Sequence, residues 1–450
     1  VTTTRRTFLR EAACGLGATA FLSAFERFSR VDAATGPATD YRALVCVFLF
    51  GGNDGNNMVV PYDGYADYAT VRGATLNIPK ASLHQVAAAS QGATFGLHPS
   101  LTELASLYEK GQLAVLCNVG TLAAPVTRSQ YLAGGERPDS LFSHSDQQAQ
   151  WQSSVVRSAG AGDAAPTGWG GRTADAAADL NSGSFPMIVS VSGVPLFATG
   201  VRSRPLVPGS GLQGFPNTPT AQARLAALRQ ILAADADQTL VGAASRIASS
   251  AIDDSAVLNA ALSQQNALAT TFPGTSLGRQ LFEIAKILAA RSALKVNRQI
   301  FFASLGGFDT HTDELNTQQS LLTQVSQAMS AFYAATVELG IAPGVATFTL
   351  SDFGRTLKPA SGGGTDHAWG SHHLVMGGSV RGGNFYGTFP DLGLGGPDDT
   401  SKEGRWIPTT SVDEYGATLA RWYGVDPAAL ATVFPNLGRF AKPDLGFLAS

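Results

Sequence analysis

The sequence predicts an α/β fold on a mostly parallel sheet. Three observations carry that expectation. Residues 43–50 are continuously apolar, as a strand buried on both faces requires. A helical pattern from His98 to Glu109 separates that run from a second apolar one at 113–117, and strand, helix, strand is the unit of a parallel sheet. Further strand-like runs at 299–305, 345–350 and 373–377 each have Asp or His beside one end.

The ends and the composition bound the rest. Thr4-Arg5-Arg6-Thr7-Phe8-Leu9-Arg10 fits a twin-arginine export signal, followed by a weakly apolar run from about Ala12 to Phe25 and an A-x-A-like point at Val31-Asp32-Ala33. Residues 1–34 are therefore set aside as an address. The expectation is passage through the twin-arginine translocation machinery to the periplasm or the exterior. The apolar run falls short of the about 20 residues of a membrane span, and Glu11-Ala12-Ala13-Cys14 is a poor lipidation site. No stable membrane anchor is predicted. Charged residues are 14% of the chain, against about 25% in typical proteins. The formal net charge of −3, without a basic stripe, argues against nucleic acid. Cys46 and Cys117 lie in predicted strands as buried thiols, with a disulfide between them left open.

Residues 35–450 read as one α/β domain. The stretch 119–142 is loop-like, and a helix is predicted from about Asp146 to Val155. Residues 156–220 are rich in Gly, Pro and Ser and read as an inserted cap, with β-like pieces at 187–191 and 195–199. A helical segment covers about 220–296; 223–232 and 276–294 have the i, i+3, i+4 spacing of one buried face. A long helix follows at about 314–339. Ser411-Val412-Asp413-Glu414 matches a capping box and opens a last helix, to about Tyr423.

Five motifs carry candidate chemistry. Gly51-Gly52-Asn53-Asp54-Gly55-Asn56-Asn57 ends the first strand, where glycine permits tight geometry and Asp54 offers carboxylate oxygens. Its likeness to the Gly-x-Asn-Asp element of SGNH esterases lacks their Gly-Asp-Ser block. Gly306-Gly307-Phe308-Asp309-Thr310-His311 sets an acid and an imidazole two residues apart, able to face one ion. Ser351-Asp352-Phe353-Gly354-Arg355-Thr356 offers a carboxylate and a guanidinium fork suited to an anionic group. Gly364-Thr365-Asp366-His367 leads to His372 and His373, of which His367 is the first choice as a ligand. Ser143-His144-Ser145-Asp146-Gln147-Gln148 opens a helix, whose N-terminal field suits an alkoxide or a bound oxyanion. Turns and caps use the same residue types. Ligands of open α/β sheets, however, bind beyond the carboxyl ends of the strands, where these motifs fall.

Together these blocks resemble the exported family catalogued as domain of unknown function 1501. The resemblance rests on the twin-arginine start and on Phe-Leu-Phe-Gly-Gly-Asn-Asp-Gly-Asn-Asn (48–57), Phe-Ser-His-Ser-Asp-Gln-Gln (142–148), Gly-Gly-Phe-Asp-Thr-His (306–311), Ser-Asp-Phe-Gly-Arg-Thr (351–356), Gly-Thr-Asp-His-Ala-Trp-Gly (364–370) and Phe-Pro-Asn-Leu (434–437). That family looks like a distant branch of the alkaline phosphatase and sulfatase superfamily. The resemblance implies a doubly wound core and one or two divalent ions, zinc, manganese or calcium. It implies metal ligands among Asp54, Asp309, His311, Asp352, His367 and His372, and catalytic roles for Ser143, His144 and Arg355, with Ser145 an alternative nucleophile. Two departures stand out. Phe353 follows Asp352 where the superfamily often has His, and the Cys/Ser-x-Pro-x-Arg block of common sulfatases is absent. The function expected is an exported metal-dependent hydrolase of phosphate or sulfate esters, small or polymeric. Its rivals are an inactive relative that binds envelope polysaccharide or assembles a surface complex, and a metal-dependent carboxylesterase.

Overall fold

The computed structural model describes residues 41–449, apart from Glu136, 157–165, Gln213 and 235–238. The expected export segment at 1–34 lies outside the described residues. Eleven strands are described: β1 (Arg42–Phe50), β2 (Val59–Pro61), β3 (His84–Ala88), β4 (Ala93–Leu97), β5 (Leu113–Gly120), β6 (Ile188–Ser190), β7 (Arg298–Gly306), β8 (Val345–Ser351), β9 (Ser371–Gly377), β10 (Asn384–Tyr386) and β11 (Thr410–Ser411). The main sheet runs β10-β5-β9-β8-β1-β7-β6, with β11 beside β5; β2, β4 and β3 form a small antiparallel sheet. The fold is mixed α/β on a mostly parallel sheet. β1 pairs in parallel with both β7 and β8, while β9 runs antiparallel between β5 and β8.

The winding is visible in β1 itself. Successive strand side chains point to opposite faces. Ala43, Val45, Val47 and Leu49 enter one core, with Leu281, Ile284 and Leu288 of the helix Ser276–Ala289 and Leu322, Val325 and Met329 of the helix Glu314–Glu338. Leu44, Cys46 and Phe48 enter the other, with Trp169, Phe197, Tyr415 and Leu419. Each such aliphatic or aromatic side chain, fully buried, contributes about 1.5–3 kcal/mol. Helices therefore cover both faces, and β1 has to be apolar throughout.

Several expectations shift. The stretch 195–199 is a short 3-10 turn, Leu196–Ala198, because Pro195 lacks a ladder donor and the turn drives Phe197 into the core. The helix Pro219–Ala233 buries Leu232 alone, its alanines offering little surface to a core. Residues expected as a cap contribute to the body of the fold: β6 extends the sheet beside β7, and the helix Trp169–Ala176 packs beneath it. Cys46 and Cys117 are buried and free. Their strands, β1 and β5, are separated by β9 and β8, which rules out the disulfide. Among the described residues, no helix is long and apolar enough to cross a membrane.

The capping box forms. The Glu414 N–H donates to Ser411 Oγ at 3.0 Å and the Ser411 N–H donates to Glu414 Oε2 at 3.0 Å, starting the helix Val412–Tyr423. Ser411→Ala should lower stability by about 0.5–2 kcal/mol, read by urea unfolding. An unchanged midpoint would assign the helix start to packing alone.

Candidate metal centre

Three strand ends converge at the carboxyl edge of the sheet. In the β1 register Phe50 stands beside Gly306 of β7, and Leu49 beside Ser351 of β8. The next residues of each strand therefore emerge side by side. Gly51, at φ +117°, leaves no room for a Cβ, which would lie 2.3 Å from the Asp309 nitrogen. A Cβ on Gly52 would lie 2.5 Å from the Phe353 ring. The two glycines are thus required by close approach as well as by backbone angle.

Asp352 follows β8 and is fully buried. Its Oδ1 accepts from the Gly51 N–H at 3.1 Å. Its Oδ2 accepts from His144 Nδ1 at 2.7 Å and from Gln148 Nε2 at 2.8 Å. The helix His144–Ser153 is thereby tied to the sheet by its first turns. On the far side of the His144 ring, Nε2 lies 3.4 Å from Asp309 Oδ2.

His367 is held in the same way from another direction. Its Nδ1 lies 2.7 Å from the Phe142 carbonyl oxygen. A carbonyl only accepts, so Nδ1 carries the proton. Burial keeps this imidazole below its ordinary pKa, and the charges of Arg355 and His144 add to that against the Phe142 carbonyl and Asp309. In the neutral ring Nε2 is a lone pair, and it faces Asp309 Oδ1 at 3.2 Å. His311 completes the set, with Nε2 3.1 Å from Asp309 Oδ1 and 3.0 Å from His367 Nε2. The buried Phe353 packs against the rings of both His144 and His367, at 4.8 and 4.5 Å between centroids.

Arg355 sits behind Asp309, fully buried. Its Nη1 donates to Asp309 Oδ1 at 3.0 Å and its Nε donates to Thr365 Oγ1 at 3.1 Å. Burial pushes the Asp309 carboxyl up, but the charge and hydrogen bond of Arg355, with His311 and His144, hold it below the ordinary carboxylate range. Arg355 therefore braces Asp309 and turns no open fork toward solvent. Asp309 and His311 are 44% and 45% exposed at their side chains, so the cluster is reachable.

The donor set fits a cation. His144, Asp309 and His367 offer ligand atoms all within 4.8 Å of one another. The closest contacts, including those of His311, run from 3.0 to 3.4 Å. A tetrahedral ion with bonds of about 2.0–2.1 Å has ligand separations of about 3.3 Å. Lone pairs turned on a carboxylate repel unless a positive charge lies between them. The anchoring of His144 through Nδ1 to a carboxylate is the outer-shell arrangement that orients imidazole ligands.

The other candidates have partners elsewhere. Asp54 caps the short helix Gly55–Met58 through the Asn56 N–H, at 3.0 Å, and is buried against Arg72 Nη2 at 2.6 Å. Glu314 lies beside that pair, 3.9 Å from Arg72 Nη1. Its carboxyl is pushed up to about 8 by burial and by Asp54, against Arg72 and Thr365. His372 is buried, accepts from the Asn118 N–H at 3.2 Å and stacks on Phe389. The buried His373 stands between Trp151 and Tyr415. Ser143 is the N-cap of its helix without a capping bond; its hydroxyl donates to Asp146 Oδ2 at 2.6 Å and lies 3.2 Å from Ser145 Oγ. Sequence reasoning missed Arg72, which sits in a helix without any motif around it, and the joining of His144 to Asp309 and His367.

The pattern of a family described as protein of unknown function (DUF1501) matches residues 41–430. No curated protein matches the sequence. Among solved structures, Ps i-CgsB in complex with k-i-k-neocarrahexaose is similar at 11% identity over 90% of this chain and 77% of its own, with a TM-score of 0.35. A Bacteroides thetaiotaomicron protein, from a locus for metabolism of multiple glycosaminoglycans, is similar at 10% identity, covering 86% and 73%, with a TM-score of 0.34. A mutant of alkaline phosphatase PafA is similar at 12%, covering 71% and 64%, with a TM-score of 0.23.

Burial holds the pKa of His372 down to about 4, against about 6.5 in an unfolded chain. The unfolded state then binds the extra proton, so this contribution to stability is full above pH 6.5 and lost as pH falls toward 4. In His372→Gln the slope of stability between those values should flatten by about one proton, or about 1.4 kcal/mol per pH unit. Urea titrations across that range would measure it, and an unchanged slope would refute the neutral buried ring.

Proposed function

The chain belongs to the DUF1501 family, and from the centre it carries we propose an exported, metal-dependent hydrolase of phosphate or sulfate esters. One observation supports this above the rest: His144 and His367, each anchored through Nδ1, turn Nε2 onto the single carboxylate of Asp309. His144, Asp309, His311 and His367 would hold the ion. Three imidazoles and one carboxylate suit zinc or manganese better than calcium, which takes six to eight oxygens. Such an ion acts as a Lewis acid on a phosphoryl or sulfuryl oxygen.

The chain's own groups have separable tasks. Asp352 orients His144, the Phe142 carbonyl orients His367, and Arg355 positions Asp309. Ser143 is the proposed nucleophile. Its hydroxyl stands at a helix start, whose free N–H groups favour negative charge, and it donates a hydrogen bond to Asp146, which would take its proton. The 1–34 segment would direct the chain to the periplasm or exterior through the twin-arginine machinery.

Elemental mass spectrometry of protein purified without chelator should find about one equivalent of zinc or manganese in the wild type and none in Asp309→Ala. Asp352→Asn should bind about 10–100-fold more weakly, the usual cost of losing an outer-shell partner. Turnover of aryl phosphate or aryl sulfate should vanish in Asp309→Ala and Ser143→Ala. No ion in the wild type after reconstitution, or equal metal in Asp309→Ala, would overturn the proposal. Metal without turnover of either ester class would leave the centre and reject the reaction.

A further inference from the structure

The helix Glu314–Glu338 begins just past the loop that carries Asp309 and His311. Its inner face enters the core, and its outer face carries Asn316, Gln319, Thr323 and Gln327 in one stripe, at the three- and four-residue spacing that shares a helix side. That stripe is common to two adjoining grooves of about 590 and 670 Å³. From Asn316 to Gln327 it extends about 16 Å, at about 1.5 Å per residue.

The lining has a definite chemistry. Gln319 and Gln327 are exposed, and their side-chain amides bond to no other group among the described residues. Each amide offers donors and an acceptor together, as sugar hydroxyls both give and take. Pro79, Pro99 and Leu315 add apolar surface that the C–H faces of a pyranose ring can cover. Lys and Arg are absent from both linings, so a polyanion finds no counter-charge. The one acid, Glu103, is engaged by the Ser326 hydroxyl at 2.7 Å. The groove walls are helix and turn segments, without the open strand edge that an extended peptide would extend.

We propose that this groove binds an uncharged stretch of polysaccharide, which makes the substrate of the neighbouring centre a polymer esterified at intervals. The second half of that statement rests on the ester-hydrolase reading; the binding itself does not.

Affinity electrophoresis of the full chain, in gels cast with dextran, xylan, galactan or glucomannan, tests it. At least one of these neutral polymers should retard the wild type. The Gln319→Ala/Gln327→Ala double variant should show an at least tenfold higher dissociation constant, at an unchanged thermal midpoint because both positions are exposed. Asp309→Ala should keep the retardation while losing metal and turnover, so failure at the centre and failure of the groove are separate results. Absence of retardation by every neutral polymer would overturn the proposal. So would retardation equal in the double variant, retardation by polygalacturonate alone, or binding of an unstructured peptide pool in place of the glycans.

Discussion

The buried carboxylate of Asp352 holds the centre together. It takes hydrogen bonds from the end of β1 through Gly51 and from the helix His144–Ser153 through His144 and Gln148. A buried carboxylate is costly unless its lone pairs are met, and here three donors from two separate parts of the chain meet them. That requirement fixes where the helix starts relative to the sheet. It also fixes which nitrogen of His144 bears the proton, and so what faces Asp309. The glycines at 51 and 52 serve the same end, since any side chain there would push apart the strand termini that bring Asp309 and Phe353 into place.

Beneath the centre a second line of polar contacts runs from Asp309 through Arg355 and Thr365 to Glu314. Glu314 then adjoins the Arg72–Asp54 pair. Beyond the exposed Asp309 these groups are buried and linked in series, so a shift in one is resisted by the next. A cluster of side chains supported in this way is organised before anything binds. Arg355 belongs to that support, and Phe353 takes part by packing against the two imidazoles.

Much of this was legible in the sequence. The apolar run of β1 requires burial on both faces, and the Asp and His residues after β7 and β8 fall where an open sheet gathers its ligands. Ser411 and Glu414 state their own cap. Other features depend on the folded chain. The reversed direction of β9 has no local signature, because strand direction follows from the connections around it. Asp54 resembles Asp309 in sequence, a carboxylate just beyond a strand, and each finds an arginine; in the fold Asp54 is buried as a helix cap against Arg72, while Asp309 stays exposed beside the imidazoles. His372 and His367 likewise differ by burial, which no five-residue window expresses. The helix Pro219–Ala233 has the spacing of a buried face, but its small side chains do not commit it to one.

Cys46 and Cys117 have a consequence of another kind. Each thiol is enclosed in the sheet, and burial raises its pKa well above the ordinary value, so little thiolate exists to react. Two intervening strands keep the pair apart. The described body of the chain therefore holds no crosslink, and its packing does not depend on one. Neither thiol is placed to pair with the other, so a move from reducing to oxidising surroundings forms no bond between them.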